Sequence, residues 1–256
     1  MTTRKYGDKR VIDLSDWGRP LARLTAKFLK NKPISVIQVT NIHLLLTIFC
    51  SWLIINGSTL IAFALLVVKG VIDAVDGELA RIRNKPSHVG RYWDTIADTI
   101  GLILVTSSLG ILLDWDNLIT LLIILATLFQ YSLFNHYSIA MRILSSGDTT
   151  SRIDESIKPI AYPWEKQTNV DFLHLIYLVF FSWQDRMIQI LLGKGSKSHT
   201  FEFTISSILG FGFQSLVFLM LALTKQLDYV PHLTLGINML IMTTVLLRSR
   251  IQVGFK

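Results

Sequence analysis

Cysteine is nearly absent from this chain: Cys50 stands alone, so no intramolecular disulfide can form and the redox compartment cannot be read from it. Internal repeats and low-complexity tracts are also missing, which excludes solenoid arrays and collagen-like or linker-rich classes. Transporters usually show paired repeats and helices broken at midplane, and neither is visible here. The first ten residues are polar and lack an apolar core followed by a small-residue cleavage site. The first long apolar run is therefore expected to act as the insertion signal.

What is abundant is hydrocarbon. Hydrophobic residues make up 51% of the 256 positions and mean hydropathy is +0.47. Their distribution decides more than their mean. Runs of the length needed to cross a bilayer recur at roughly 34–56, 58–76, 99–113, 117–143, 202–224 and 230–247. The chain reads as an all-α integral membrane protein with about six transmembrane helices.

The net charge of +7 could suggest a nucleic-acid partner, but nine of the basic residues lie between Arg4 and Lys32, before the first apolar run. Under the positive-inside rule that segment is cytoplasmic, and no nucleic acid is needed to explain it. Threading six spans from there leaves Asn56–Ser58, Asp114–Asn117 and Thr224–Tyr229 outside, with Lys225 their only basic residue. Arg248, Arg250 and Lys256 then return to the cytoplasm.

Within the N-terminal segment, 1–33, Leu14, Trp17, Leu21, Leu24, Phe28 and Leu29 recur at helical steps between Arg19, Arg23, Lys27 and Lys30. This pattern predicts an amphipathic helix on the anionic membrane surface. Residues 34–256 are expected to form the transmembrane domain, with a polar cytoplasmic loop at about 145–170. The stretch 171–193 is apolar but interrupted by Gln184, Asp185 and Arg186, and Lys194 and Lys197 follow it. An interfacial or re-entrant segment is expected there, because a full span would invert the charge pattern downstream.

The most informative stretch runs from Gly70 to Gly101, GVIDAVDGELARIRNKPSHVGRYWDTIADTIG. Asp73, Asp76, Gly77, Ala80 and Arg81 share one helical face, and Gly90, Asp94 and Asp98, each four apart, share another. A short cytoplasmic loop with Pro86 joins the two helices, so four carboxylates converge at the end of an antiparallel hairpin. Like charges this close repel unless a cation neutralises them. Oxygen-only donors point to Mg²⁺ or Mn²⁺ shared with substrate phosphates, and no Cys or His other than His88 in the loop offers zinc a ligand. Gly77 and Ala80 let a ligand approach the backbone, and Arg81 is placed to grip a phosphate. The alternative is a structural knot of salt bridges at the membrane surface.

The pattern Asp73-x-x-Asp76-Gly77-x-x-Ala80-Arg81, eight residues, Gly90-x-x-x-Asp94-x-x-x-Asp98 resembles the motif of the CDP-alcohol phosphotransferases (CDP-alcohol phosphatidyltransferases) at every fixed position. The resemblance implies an N-terminal interfacial helix followed by six transmembrane helices, usually as a homodimer. It also implies a transfer reaction in which an acceptor hydroxyl attacks the phosphorus joined to the alcohol of a CDP-linked donor, often CDP-diacylglycerol, and releases CMP. Asp73, Asp76, Asp94 and Asp98 would hold one or two divalent ions, and Asp98 would also be the general base. Asp76, Gly77, Ala80 and Arg81 would contact the CDP moiety, with Ser87 adding a hydroxyl and Gly90 completing the motif.

Departures from the family pattern bear on the branch. Val36 and Ile37 stand where many relatives carry Pro-Asn before the residue matching Thr40. Thr95 follows the third Asp where the CDP-choline and CDP-ethanolamine branch usually has His, and Thr99 follows the fourth where branches with phosphorylated acceptors commonly carry Lys or Arg. Lys69, one turn before Asp73, either binds an acceptor phosphate or pairs with Asp73. Asn135, His136 and Arg142 are candidates for the acceptor pocket, although His136, like His43, also suits a simple interhelical polar contact. The expected protein is thus an enzyme of phospholipid synthesis in the cell inner membrane or its equivalent, with its site facing the cytoplasm. Two alternatives stay open: a headgroup transferase that uses a soluble CDP-alcohol and a lipid hydroxyl, and a non-catalytic cation- or nucleotide-binding membrane protein.

Overall fold

The computed structural model describes residues 5–6, 11–145, 155–192 and 200–254. Among them the chain forms ten α-helices and no strand: α1 Arg19–Leu29, α2 Val36–Ile55, α3 Thr59–Ile82, α4 His88–Leu112, α5 Asn117–Leu144, α6 Gln167–Phe180, α7 Ser182–Leu192, α8 Thr200–Ser206, α9 Phe211–Leu223 and α10 Asn238–Gly254. Part of the loop expected at about 145–170, and Lys194, Lys197 and Lys256, lie outside the described residues.

Helices α2, α4, α5 and the stretch Leu227–Ile251 are long and apolar enough to cross a membrane. Two bent pairs, α6 with α7 at 53° and Thr200–Leu209 with α9 at 43°, bring the number to six if each is one span. The stretch 171–193 thus falls in a helix pair broken at Phe181, with the shape of a broken span or a re-entrant loop. Helix α3 has 24 residues, yet Lys69, Asp73 and Asp76 make it too charged to count among the apolar helices. These are the residues whose chemistry singled it out in the sequence.

Helix boundaries follow local chemistry. Ser35 caps α2, its hydroxyl accepting from the Gln38 amide at 3.1 Å while the Gln38 side chain accepts from the Ser35 amide at 2.7 Å. A capping box therefore starts the helix where the family pattern led us to expect Pro-Asn. Four tight turns share one closure, in which the amide two residues past the cap reaches back five residues: Ser58 to Leu53, Lys85 to Ala80, Trp115 to Gly110 and Gln226 to Leu221. Each places a residue in the left-handed region, Gly57, Asn84, Asp114 and Lys225 respectively. At the C-terminal end of α3 the Arg83 guanidinium donates to the carbonyls of Leu29, Lys30, Lys32 and Ile34. One side chain thereby satisfies the open end of α1 and ties it to α3.

Two apolar units flank the centre. One joins α2, α3, α4 and α9 through Ile54, Phe63, Leu66, Leu109 and Ala222. The other joins α5, α7, α8 and α10 through Leu133, Ile188, Phe203 and Met242. Helix α2 packs on both α3 and α4, whereas α3 and α4 make few direct contacts with each other. The expected hairpin is therefore splayed, with α2 filling the space behind it.

A left-handed lysine carries a steric cost of about 1–2 kcal/mol that glycine avoids. Lys225→Gly is therefore expected to raise the unfolding midpoint of the detergent-purified protein, and Gly57→Ala, at φ +77°, to lower it. Opposite shifts in thermal unfolding would show that these turns do not hold the caps described.

Candidate active site

The splayed helices enclose a cavity of about 480 Å³, within the usual size of small-molecule sites. Helix α3 lines it with Asp73, Asp76, Gly77, Ala80 and Arg81, and α4 with Gly90, Asp94 and Asp98, preceded by Ser87. Across from them stand Tyr131, Asn135 and Arg142 of α5, and Gln184 and Asp185 of α7. His136 does not line the cavity; its ring meets Tyr137 edge-on.

The carboxylates are held from behind. Thr40 of α2 donates to Asp76 Oδ2 at 2.8 Å. One turn on, His43 Nε2 lies 3.3 Å from Asp94 Oδ1 and 3.7 Å from Asp73 Oδ1. Lys69 Nζ lies 2.5 Å from Asp98 Oδ1 and 3.6 Å from Asp73 Oδ2. One oxygen from each of Asp73, Asp76 and Asp94, with a ring nitrogen of His43, lie within 4.8 Å of one another. Three hard carboxylate oxygens at this spacing fit a divalent ion such as Mg²⁺ or Mn²⁺.

His43 is the principal departure from the sequence reading, which kept histidine out of the cluster except for His88. His88 instead stacks on Tyr162 with ring centroids 4.7 Å apart. The absence of histidine therefore no longer argues against zinc. The periodicity signal was present: Thr40, His43 and Thr47 fall on one buried face of α2.

Arg81 lines the cavity and donates through Nη2 to Glu78 Oε1 at 3.1 Å. Glu78 is 1% exposed and also receives Arg19 of α1 at 2.6 Å, with Arg23 at 3.5 Å. A Cβ on Gly77 would come 3.2 Å from the Arg81 guanidinium, so glycine there keeps that side chain's path open. Ser87 Oγ accepts from the Gly90 amide at 2.8 Å and donates to Glu165 at 2.6 Å, capping α4. Asp185 accepts from Ser132 at 2.7 Å and Tyr177 at 2.6 Å.

The spacing put Leu14 and Trp17 in the amphipathic helix, but α1 begins only at Arg19 and the residues before it run across the site, a placement the sequence did not indicate. Lys5, Asp13, Ser15, Asp16 and Arg19 line the cavity, and the strand of chain is pinned across the far elements. Leu14 N donates to Ser207 Oγ at 2.9 Å, and Trp17 Nε1 to the Gly212 carbonyl at 3.0 Å. Burial pushes the Asp16 carboxyl up, but Lys5 and Arg19 outweigh it and hold it below the ordinary aspartate range. Glu155 was missed as well; it accepts from both terminal guanidinium nitrogens of Arg91 and from the Tyr92 hydroxyl.

Glu78→Gln removes the charge that Arg19, Arg23 and Arg81 share, and is expected to cost about 3 kcal/mol of stability, read as a lower unfolding midpoint; an unchanged midpoint would contradict the arrangement. The stability Asp16 contributes is complete above its unfolded pKa, near 3.8, and is lost as pH falls from there through its lower folded value. Asp16→Asn is expected to flatten that part of the acid profile.

A fold of this kind invites comparison with known proteins. Over 100 residues the chain is 34% identical to an archaetidylinositol phosphate synthase of Pyrococcus horikoshii, which covers 38% of this chain and 53% of that protein. The chain thus matches about half the length of this curated relative. The family model for CDP-alcohol phosphatidyltransferase matches residues 35–246, which includes every helix from α2 to α9 and most of α10. With that match over most of its length, the chain belongs to the CDP-alcohol phosphatidyltransferase family.

Proposed function

We propose that this chain is a transferase of phospholipid synthesis that moves a substituted phosphoryl group from a CDP-linked lipid, CDP-diacylglycerol, to an acceptor hydroxyl. The observation that carries the reading is the cavity in which Asp73, Asp76, Gly77, Ala80 and Arg81 of α3 face Asp94 and Asp98 of α4. A salt-bridge knot would have filled this space with paired side chains. A lipid-linked donor is favoured because both helices carry the site beside long apolar runs.

In this reading Asp73, Asp76 and Asp94 hold the divalent ion, and Asp76, Gly77, Ala80 and Arg81 bind the CDP moiety, with Ser87 and Gly90 shaping the start of α4 beside it. When bound, the ion neutralises charge on the diphosphate and improves CMP as a leaving group. Asp98, one turn beyond Asp94, takes the proton of the acceptor hydroxyl as its oxygen bonds to phosphorus and the bond to CMP breaks. Asn135 and Arg142, across the cavity, are on the acceptor side. Arg142 and the archaetidylinositol phosphate synthase relative both favour a phosphorylated polyol, although Thr99 lacks the basic residue usual in such branches.

The reading also takes residues 1–33 as a cytoplasmic segment whose α1 lies on the membrane surface. Leu21, Leu24 and Phe28 are 57%, 68% and 71% exposed, while Ala22 and Ala26 pack on α3, which supports one lipid-facing side. The site then opens to the cytoplasm of the inner membrane or its equivalent, the α6 and α7 pair is re-entrant, and the protein works as a homodimer.

Purified protein with Mg²⁺ and CDP-diacylglycerol is expected to release CMP only with the right member of a panel of serine, inositol, inositol phosphate and glycerol phosphate. EDTA is expected to abolish release, and Asp98→Asn to lower it by about 100-fold or more. CMP release only from a soluble CDP-alcohol with a lipid acceptor would replace the donor assignment. Absence of metal-dependent CDP binding would remove the transferase reading.

A further inference from the structure

The carboxylates of the cavity divide unevenly. Asp73, Asp76 and Asp94 gather around one point with His43. Asp98 stands apart from that group, and its Oδ1 is held by Lys69 Nζ at 2.5 Å. The same ammonium lies 3.6 Å from Asp73 Oδ2. Lys69 therefore bridges one carboxylate from α3 and one from α4.

The position of the lysine is built, not incidental. Lys69 is 4% exposed and does not line the cavity, so its ammonium reaches Asp73 and Asp98 from the protein side. The Phe211 ring stands 4.5 Å from Nζ and faces it as a cation–π partner. A lysine this deep in an apolar helix cannot snorkel to water, and its charge is stable there only against fixed anions.

Resting on the transferase reading above, we infer that Lys69 is a permanent cation of this site and does the work of a second divalent ion. The chain then binds one ion, through Asp73, Asp76 and Asp94, while Lys69 neutralises Asp98 and the far oxygen of Asp73. Lys69 is a positioning residue: it orients Asp98 toward the cavity without touching substrate. An ion bridging Asp73 and Asp98 would need oxygens at about 2.0–2.2 Å, and the ammonium excludes it by charge and by volume.

The test is to count Mn²⁺ bound to the full-length protein in detergent, by equilibrium dialysis and by the electron paramagnetic resonance signal of the free ion. Wild type and Lys69→Arg are expected to bind about one Mn²⁺ per chain, and Lys69→Met, which keeps the stem and loses the charge, about two. Asp98→Asn is expected to keep its single ion, weakened by no more than about tenfold as an outer partner. If Lys69→Met does not fold, Asp98→Asn and Lys69→Arg carry the test. Two ions in the wild type, one in a folded Lys69→Met, or loss of the ion in Asp98→Asn would each overturn the inference while leaving the transferase reading standing. No Mn²⁺ bound to the wild type would overturn both.

Discussion

Charge near hydrocarbon has to be answered within the protein, and the answer to Asp73, Asp76, Asp94 and Asp98 organises the rest of this molecule. Helices α3 and α4 both pack on α2 rather than closely on each other, and the cavity lies on their open side, where Asp73, Asp76 and Asp94 bring oxygens within 4.8 Å of one another. Helix α2 fills the back of that space and supplies Thr40 and His43 to the carboxylates it covers. Lys69 meets two of them from α3 itself. What remains open is the cavity side, the side on which the proposed cation and substrate would complete the balance.

The same constraint explains the C-terminal end of α3. Arg81 is useful to a phosphate only if it is kept from the aspartates one and two turns away on its own helix. Glu78, fully buried, gives it another anion and draws in Arg19, which brings α1 down against α3. Arg83 then fastens the end of α1 through backbone carbonyls. The N-terminal segment ahead of α1 crosses to α9 and the turn before it through Leu14, Ser15 and Trp17. Site, α1 and the segment before it therefore form one charge-linked unit.

Much of this was legible in the residues. Periodic spacing placed the motif residues of α3 on one face and those of α4 on another, and the cavity is lined by both. Apolar runs located most helices but not their ends: α4 begins at His88 and not near residue 99, because its first turns carry the charged motif residues. What could not be read was tertiary company. Nothing local marks Glu78 as the buried partner of Arg19, fifty-nine positions away, or brings Lys5 and Asp16 to the cavity wall. His43 looked like a polar group between helices, and so it is; only the fold sets it among the aspartates. The splay of α3 and α4 likewise depends on α2, which hairpin connectivity alone does not reveal.

The central claim is that these aspartates hold an ion against the diphosphate of a CDP-linked substrate. Its most direct test is the ³¹P resonance of CDP in the presence of the detergent-solubilised protein and a trace of Mn²⁺. The account predicts strong paramagnetic broadening of both phosphorus signals, lost in Asp76→Asn. Bound CDP whose phosphorus signals stay sharp would place the nucleotide away from the carboxylates and contradict it.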